Sequence, residues 1–174
     1  MSSTLRAGGY ASSALLVVLG IAMIVIGIVG RGEVSDRLAE EQIVGTPDSS
    51  IPGEDVDTGS EAKAFADVIR EHTLEATGGK TYAEMPRAVF KKSGEPVPED
   101  EADQAIESGK AIDNPERQIW IPSIALSTAL NTSFFAESVA TFAIVVGVAL
   151  MLIGIGLFVL TRGILRRAEE TAVR

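Results

Sequence analysis

Residues 11–30 read ASSALLVVLGIAMIVIGIVG, and residues 138–160 read SVATFAIVVGVALMLIGIGLFVL. Neither run contains Asp, Glu, Lys, Arg or His. At about 1.5 Å of rise per helical residue, each is long enough to cross a hydrocarbon core about 30 Å thick. The two runs predict an all-α membrane protein: a two-helix transmembrane hairpin with a small, mostly helical extracytoplasmic cap. The expected organisation is a tail over 1–10, a first span over 11–30, an acidic region over 31–137, a second span over 138–160 and a basic tail over 161–174. The first run exceeds the usual apolar length of a signal peptide, about 7–15 residues. It ends in Gly27-Ile-Val-Gly-Arg-Gly without a small-x-small cleavage site, so it reads as an uncleaved anchor.

Charge gives the expected orientation. The net charge of -9 hides a split: residues 31–137 hold 22 acidic and 10 basic residues. The flanks hold five arginines (Arg6, Arg162, Arg166, Arg167, Arg174) and two acids, Glu169 and Glu170. Lys and Arg near span ends favour the cytoplasmic side, so both termini are expected in the cytoplasm and the acidic middle outside it. Arg162, Arg166 and Arg167 crowd the exit of the second run and carry most of this signal, while Arg31 and Arg37 oppose it. The acidic middle has the wrong sign for nucleic-acid binding. The absence of Cys excludes disulfides and thiolate metal sites.

Within the acidic region, a helix is expected over 61–77. Thr58 and Glu61 match a capping box, and Gly78-Gly79 supplies a stop. Phe65, Val68, Ile69, His72 and Ala76 fall on one face of that helix. A short acidic helix is expected over 99–108, with Ala102, Ala105 and Ile106 as its apolar side. Residues 122–135 are read as a helix at the membrane surface, or as an extension of the second span, with Pro122 in its first turn. Trp120, Phe134 and Phe135 are then candidate membrane-interface residues.

The spans also carry small residues at seven-residue spacing: Ser13, Gly20 and Gly27 in the first, Ala140, Gly147 and Gly154 in the second. That spacing keeps small side chains on one face and lets helices approach closely in lipid. Gly20 opposite Gly147 and Gly27 near Ala140 is the expected hairpin register, and the same faces could instead take a partner's helix. Spans without ionisable residues argue against a proton-coupled transporter. His72 is the only histidine, so its expected role is packing or hydrogen bonding rather than metal ligation. Glu54, Asp55 and Asp57 lack the spacing of a calcium loop. No catalytic, cofactor or metal site is expected.

Three stretches stand out together: Thr58-Gly-Ser-Glu-Ala-Lys-Ala-Phe-Ala-Asp, Gly78-Gly-Lys-Thr-Tyr-Ala, and Ile119-Trp-Ile through Leu126-Ser-Thr-Ala-Leu-Asn-Thr-Ser-Phe-Phe-Ala-Glu. With the flanking spans, they resemble an actinobacterial family of uncharacterised two-pass membrane proteins. The resemblance covers most of the chain and implies the same topology and a cell-membrane location. Members often carry the label of aromatic ring-opening dioxygenase. Such enzymes need an iron site built from several His and a carboxylate, and only His72 is present. The expected function is therefore non-enzymatic: an accessory or scaffold component in the lipid bilayer, packing against other integral membrane proteins or itself. The other reading is an extracytoplasmic sensor or ligand-binding module using the acidic cap.

Overall fold

The computed structural model describes residues 3–172, with side chains for Thr4 and residues 6–163. The orientation signal from Arg166, Arg167, Glu169, Glu170 and Arg174 lies outside the described side chains. The chain is mostly helical and divides into two compact units. One comprises residues up to Asp36 and from Phe135 onward; the other is Arg37–Phe134.

Two long helices supply the first unit. Helix α1 spans Ser3–Glu40 and helix α4 spans Pro115–Ala172. Each contains a stretch long and apolar enough to cross a membrane. Both outrun the expected spans, so the tails expected over 1–10 and 161–174 are helical as far as they are described. In the first unit the Arg31 guanidinium donates to Glu137 at 2.7 Å. These two charges stand immediately after the first apolar run and immediately before the second.

The second unit contains α2 (Gly59–Ala76), a 3-10 turn (Tyr82–Glu84), β1 (Ala88–Phe90), α3 (Ala102–Glu107), β2 (Ala111–Asp113) and the start of α4. The capping box of α2 is formed: the Thr58 N–H donates to Glu61 Oε2 at 2.8 Å, and the Glu61 N–H donates to Thr58 Oγ1 at 3.4 Å. At its other end the Gly79 N–H donates to the Leu74 carbonyl at 2.7 Å, and the Gly78 N–H to the Glu75 carbonyl at 3.2 Å. Gly78 and Gly79 hold φ of 61° and 80°, the left-handed geometry this stop requires. Between α1 and α2, residues 43–57 form a hydrogen-bonded loop that buries Val56. Gly45 is obligatory there, because a Cβ would run into the Ile51 carbonyl oxygen, a backbone atom.

Several expectations are corrected. The all-α class gives way to one small sheet in a mostly helical unit: β1 and β2 pair antiparallel, with Ala88 opposite Asp113 and Phe90 opposite Ala111. The sheet and α3 close a small core of Ala88, Val97, Ala102, Ala105 and Ala111, flanked by Phe90 and Ile106. The acidic helix is shorter than 99–108, at Ala102–Glu107. Of the two readings of residues 122–135, the extension of the second span holds and the separate surface helix does not: they belong to α4, and Pro122 lies inside it rather than in its first turn. The first turn starts at Pro115, where the missing N–H costs nothing, and Asn114 caps it by accepting from the Glu116 N–H at 3.1 Å.

Candidate functional site

The first unit is built on a seam of small residues. A Cβ placed on Gly20 would lie 2.6 Å from the Gly147 carbonyl oxygen and 2.8 Å from the Met151 nitrogen. One on Gly27 would lie 2.6 Å from the Ala140 carbonyl oxygen, and one on Gly154 would lie 3.0 Å from that of Ser13. The obstacles are backbone atoms, which cannot swing aside as a side-chain tip can. The structure thus brings Ser13, Gly20, Gly27, Ala140, Gly147 and Gly154 together on one contact between α1 and α4. That contact occupies the faces left open above to a partner's helix. Polar groups on the seam are satisfied within their own helices: Ser13 Oγ donates to the Gly9 carbonyl at 2.7 Å, and Thr161 Oγ1 to that of Leu157 at 2.8 Å. Back-bonding of this kind lets a hydroxyl sit in an apolar contact without an orphaned proton.

Beside the seam runs an apolar groove of about 460 Å³, lined by Tyr10, Ala14, Val17, Val18, Ile155 and Phe158. Tyr10 and Phe158 form a tilted ring pair, with centroids 5.4 Å apart. Sequence reasoning did not find this groove, because it needs the register of two helices distant in sequence.

In the second unit, the proposed interface role of Trp120 is overturned. Trp120 is 3% exposed. Its Nε1–H donates to the Lys80 carbonyl at 3.1 Å, and the Arg70 guanidinium lies 5.7 Å from the ring centroid. Buried indole needs an acceptor, and the carbonyl just past the Gly78-Gly79 stop provides one. Phe134 and Phe135 do lie on the surface, 38% and 68% exposed. The buried side of α2 also differs from expectation. It is a run of small residues, Gly59, Ala62, Ala66 and Thr73 with Val68, while His72 and Ala76 are exposed. The reason is close contact with α4: Thr73 Oγ1 and Ser123 Oγ are 2.6 Å apart, and Ser127 Oγ donates to the Ala66 carbonyl at 3.5 Å.

His72 pairs with Asp48 of the loop, Nε2 to Oδ2 at 2.5 Å. The hydrogen bond to Asp48 raises the His72 pKa above its ordinary value, and the Thr46 hydroxyl followed by the His72 ring holds the Asp48 carboxyl down at about 2. The pair is exposed and ties loop to helix. Asp57 is raised by the charge of neighbouring Glu61. Among the described residues, no three His, Cys, Asp or Glu side chains are grouped to hold a metal ion, and that includes Glu54, Asp55 and Asp57. A cleft of about 470 Å³ lies against Lys80, Met85, Pro86, Val89, Asn114 and Glu116. It joins β1 to the start of α4, and the Asn114-Pro115-Glu116 cap signal was the sequence clue to that junction.

Comparison with known protein families, curated proteins and solved structures finds no match.

Proposed function

We propose that this chain is a two-pass integral membrane protein with both termini in the cytoplasm and residues 37–134 outside it, acting as a non-enzymatic accessory or scaffold component. The supporting observation is the surface of the two long helices. In their most apolar windows only 17% and 11% of residues are buried within the protein. A core helix of a soluble domain hides its apolar residues, whereas Val18, Ile26, Val29, Phe142, Leu152 and Val159 all stand exposed here. Lipid is the solvent that such a surface fits. The seam uses the small-residue faces within the chain, so lateral partners would meet the outer faces of α1 and α4, the surfaces around Phe134 and Phe135, or the acidic domain.

The absence of Cys makes topology directly testable. Ser93→Cys in intact cells should react with a membrane-impermeant maleimide, while Thr4→Cys should react only after lysis. The reverse pattern overturns the orientation, and extraction of the chain at alkaline pH overturns membrane insertion. Purification of tagged protein from its native membrane in mild detergent, with quantitative mass spectrometry, tests the accessory role. A stoichiometric membrane protein supports it; recovery of the chain alone counts against it. The sensor reading draws on the cleft beside Lys80 and Asn114. Saturable stabilisation of residues 37–134 by a ligand in the full chain would favour it.

A further inference from the structure

Helical register carries the groove toward two arginines, Arg6 and Arg162. Gly9 and Thr161 are in contact across the helix pair, and a Cβ on Gly9 would lie 3.5 Å from the Thr161 Cβ. Continuing that antiparallel register by one turn of α1 sets Arg6 level with the turn of α4 that contains Arg162. Arg6 precedes Tyr10 by four residues and Ser13 by seven, so it shares their face of α1. Arg162 follows Phe158 by four and Ile155 by seven, so it shares the groove face of α4. Among the described residues, the buried Arg6 Nε has no hydrogen-bond acceptor. Among the described residues, no carboxylate pairs with Arg6 or Arg162.

We propose that this end of the helix pair is a binding site for one anionic phospholipid. The phosphate sits between Arg6 and Arg162, and one acyl chain lies along the groove past Tyr10 and Phe158 to Val17, Val18 and Ile155. Two parts of the site match two parts of the ligand. The groove is lined by apolar side chains and meets the tail. The guanidinium pair carries two donors of planar, bidentate geometry suited to phosphate. An acceptor there relieves the buried Nε and the repulsion of two like charges at one level. A protein partner's helix would fill the groove, but it would bring no anion to this end unless it placed an acid there. The phospholipid supplies both in one molecule.

The inference rests on the membrane reading above, and the experiment separates the two. Full-length protein in mild detergent is mixed with equal amounts of phosphatidylglycerol and phosphatidylcholine carrying identical acyl chains, and retained lipid is read by native mass spectrometry. The wild type should retain one phosphatidylglycerol in preference to phosphatidylcholine. An arginine near an anionic headgroup contributes about 1 kcal/mol, so each Arg→Gln substitution should reduce the preference roughly fivefold. Arg6→Gln with Arg162→Gln should bring it close to unity, and Arg6→Lys with Arg162→Lys should retain most of it. Ala14→Phe, which fills the groove, should lower retention of both lipids. Equal retention of the two lipids by the wild type, or a preference that survives the double glutamine substitution, overturns the site. Should the glutamine variant fail to insert, the wild-type competition and the lysine pair decide it alone. Alkaline extraction of the same membranes reads the membrane assignment independently: a chain that stays inserted yet shows no lipid preference refutes the lipid site only.

Discussion

In the helix pair, backbone polar groups are satisfied within α1 and α4, and close approach comes from missing side chains at Gly20, Gly27, Gly147 and Gly154. In residues 37–134, by contrast, the backbone turns often, and its loose ends are tied by side chains: Thr58 and Glu61 at one helix start, Asn114 at another, and Thr77 and Trp120 on the Lys80 carbonyl. The first arrangement leaves no backbone group that would need water in lipid. The second is a thin alanine-rich core held by specific polar contacts. Each unit is fragile in its own way. The pair fails through added bulk, and the smaller unit fails through a lost anchor or cap.

The largest effect is expected at the anchor. Trp120→Ala should cost about 3–5 kcal/mol, as large-to-small changes at buried aromatics do, and should erase hydrogen-exchange protection in α2. An unchanged α2 would return Trp120 to the surface and break the contrast. In the pair, Gly20→Leu forces bulk against the Gly147 carbonyl, and overpacking costs about 1–3 kcal/mol. It can be read through Gly9→Cys with Thr161→Cys, whose Cβ spacing suits a disulfide. Cross-linking in membranes should be efficient in the parent and reduced several-fold with Gly20→Leu. Efficient cross-linking in both would show that the glycines do not set the approach. Thr58→Ala removes one cap and should cost about 1 kcal/mol, read as faster exchange in the first turn of α2. The smallest effect belongs to the exposed pair Asp48–His72. The His72 pKa is raised, so its contribution is fully present below its ordinary value of 6.5 and is lost as pH rises through the raised one. Asp48 is lowered, so its contribution is present above 3.8 and is lost as pH falls toward about 2. Protection of loop residues 43–57 should therefore fall slightly on alkaline titration from pH 6, and His72→Gln should remove that dependence.

The parts legible in the sequence are those set by local chemistry. The two apolar runs, the Thr58–Glu61 box and the Gly78-Gly79 stop each act over a few residues. The helix start at Asn114-Pro115-Glu116 is equally local, but Pro122 offers a competing first-turn signal seven residues on. Burial of Trp120 was not legible, because its acceptor is 40 residues away and is a backbone carbonyl. Strands of three residues carry too little alternation to show, and the α3 that packs against them is distant from β1 in sequence. The spacing of Gly20 and Gly147 was visible, while the choice between its own second helix and a foreign one was not. The buried side of α2 was misread because hydrophobicity favours Phe65 and Ile69, whereas proximity to α4 favours Ala62 and Ala66.

Glu137 is the one ionisable residue between Arg117 and Arg162, a stretch of 44 residues. As helix that stretch is about 66 Å long, roughly twice the thickness of a bilayer's hydrocarbon. Placed in a membrane, α4 would carry one charge in that stretch, the Glu137 carboxylate held by Arg31, as the mark of where the oil would end.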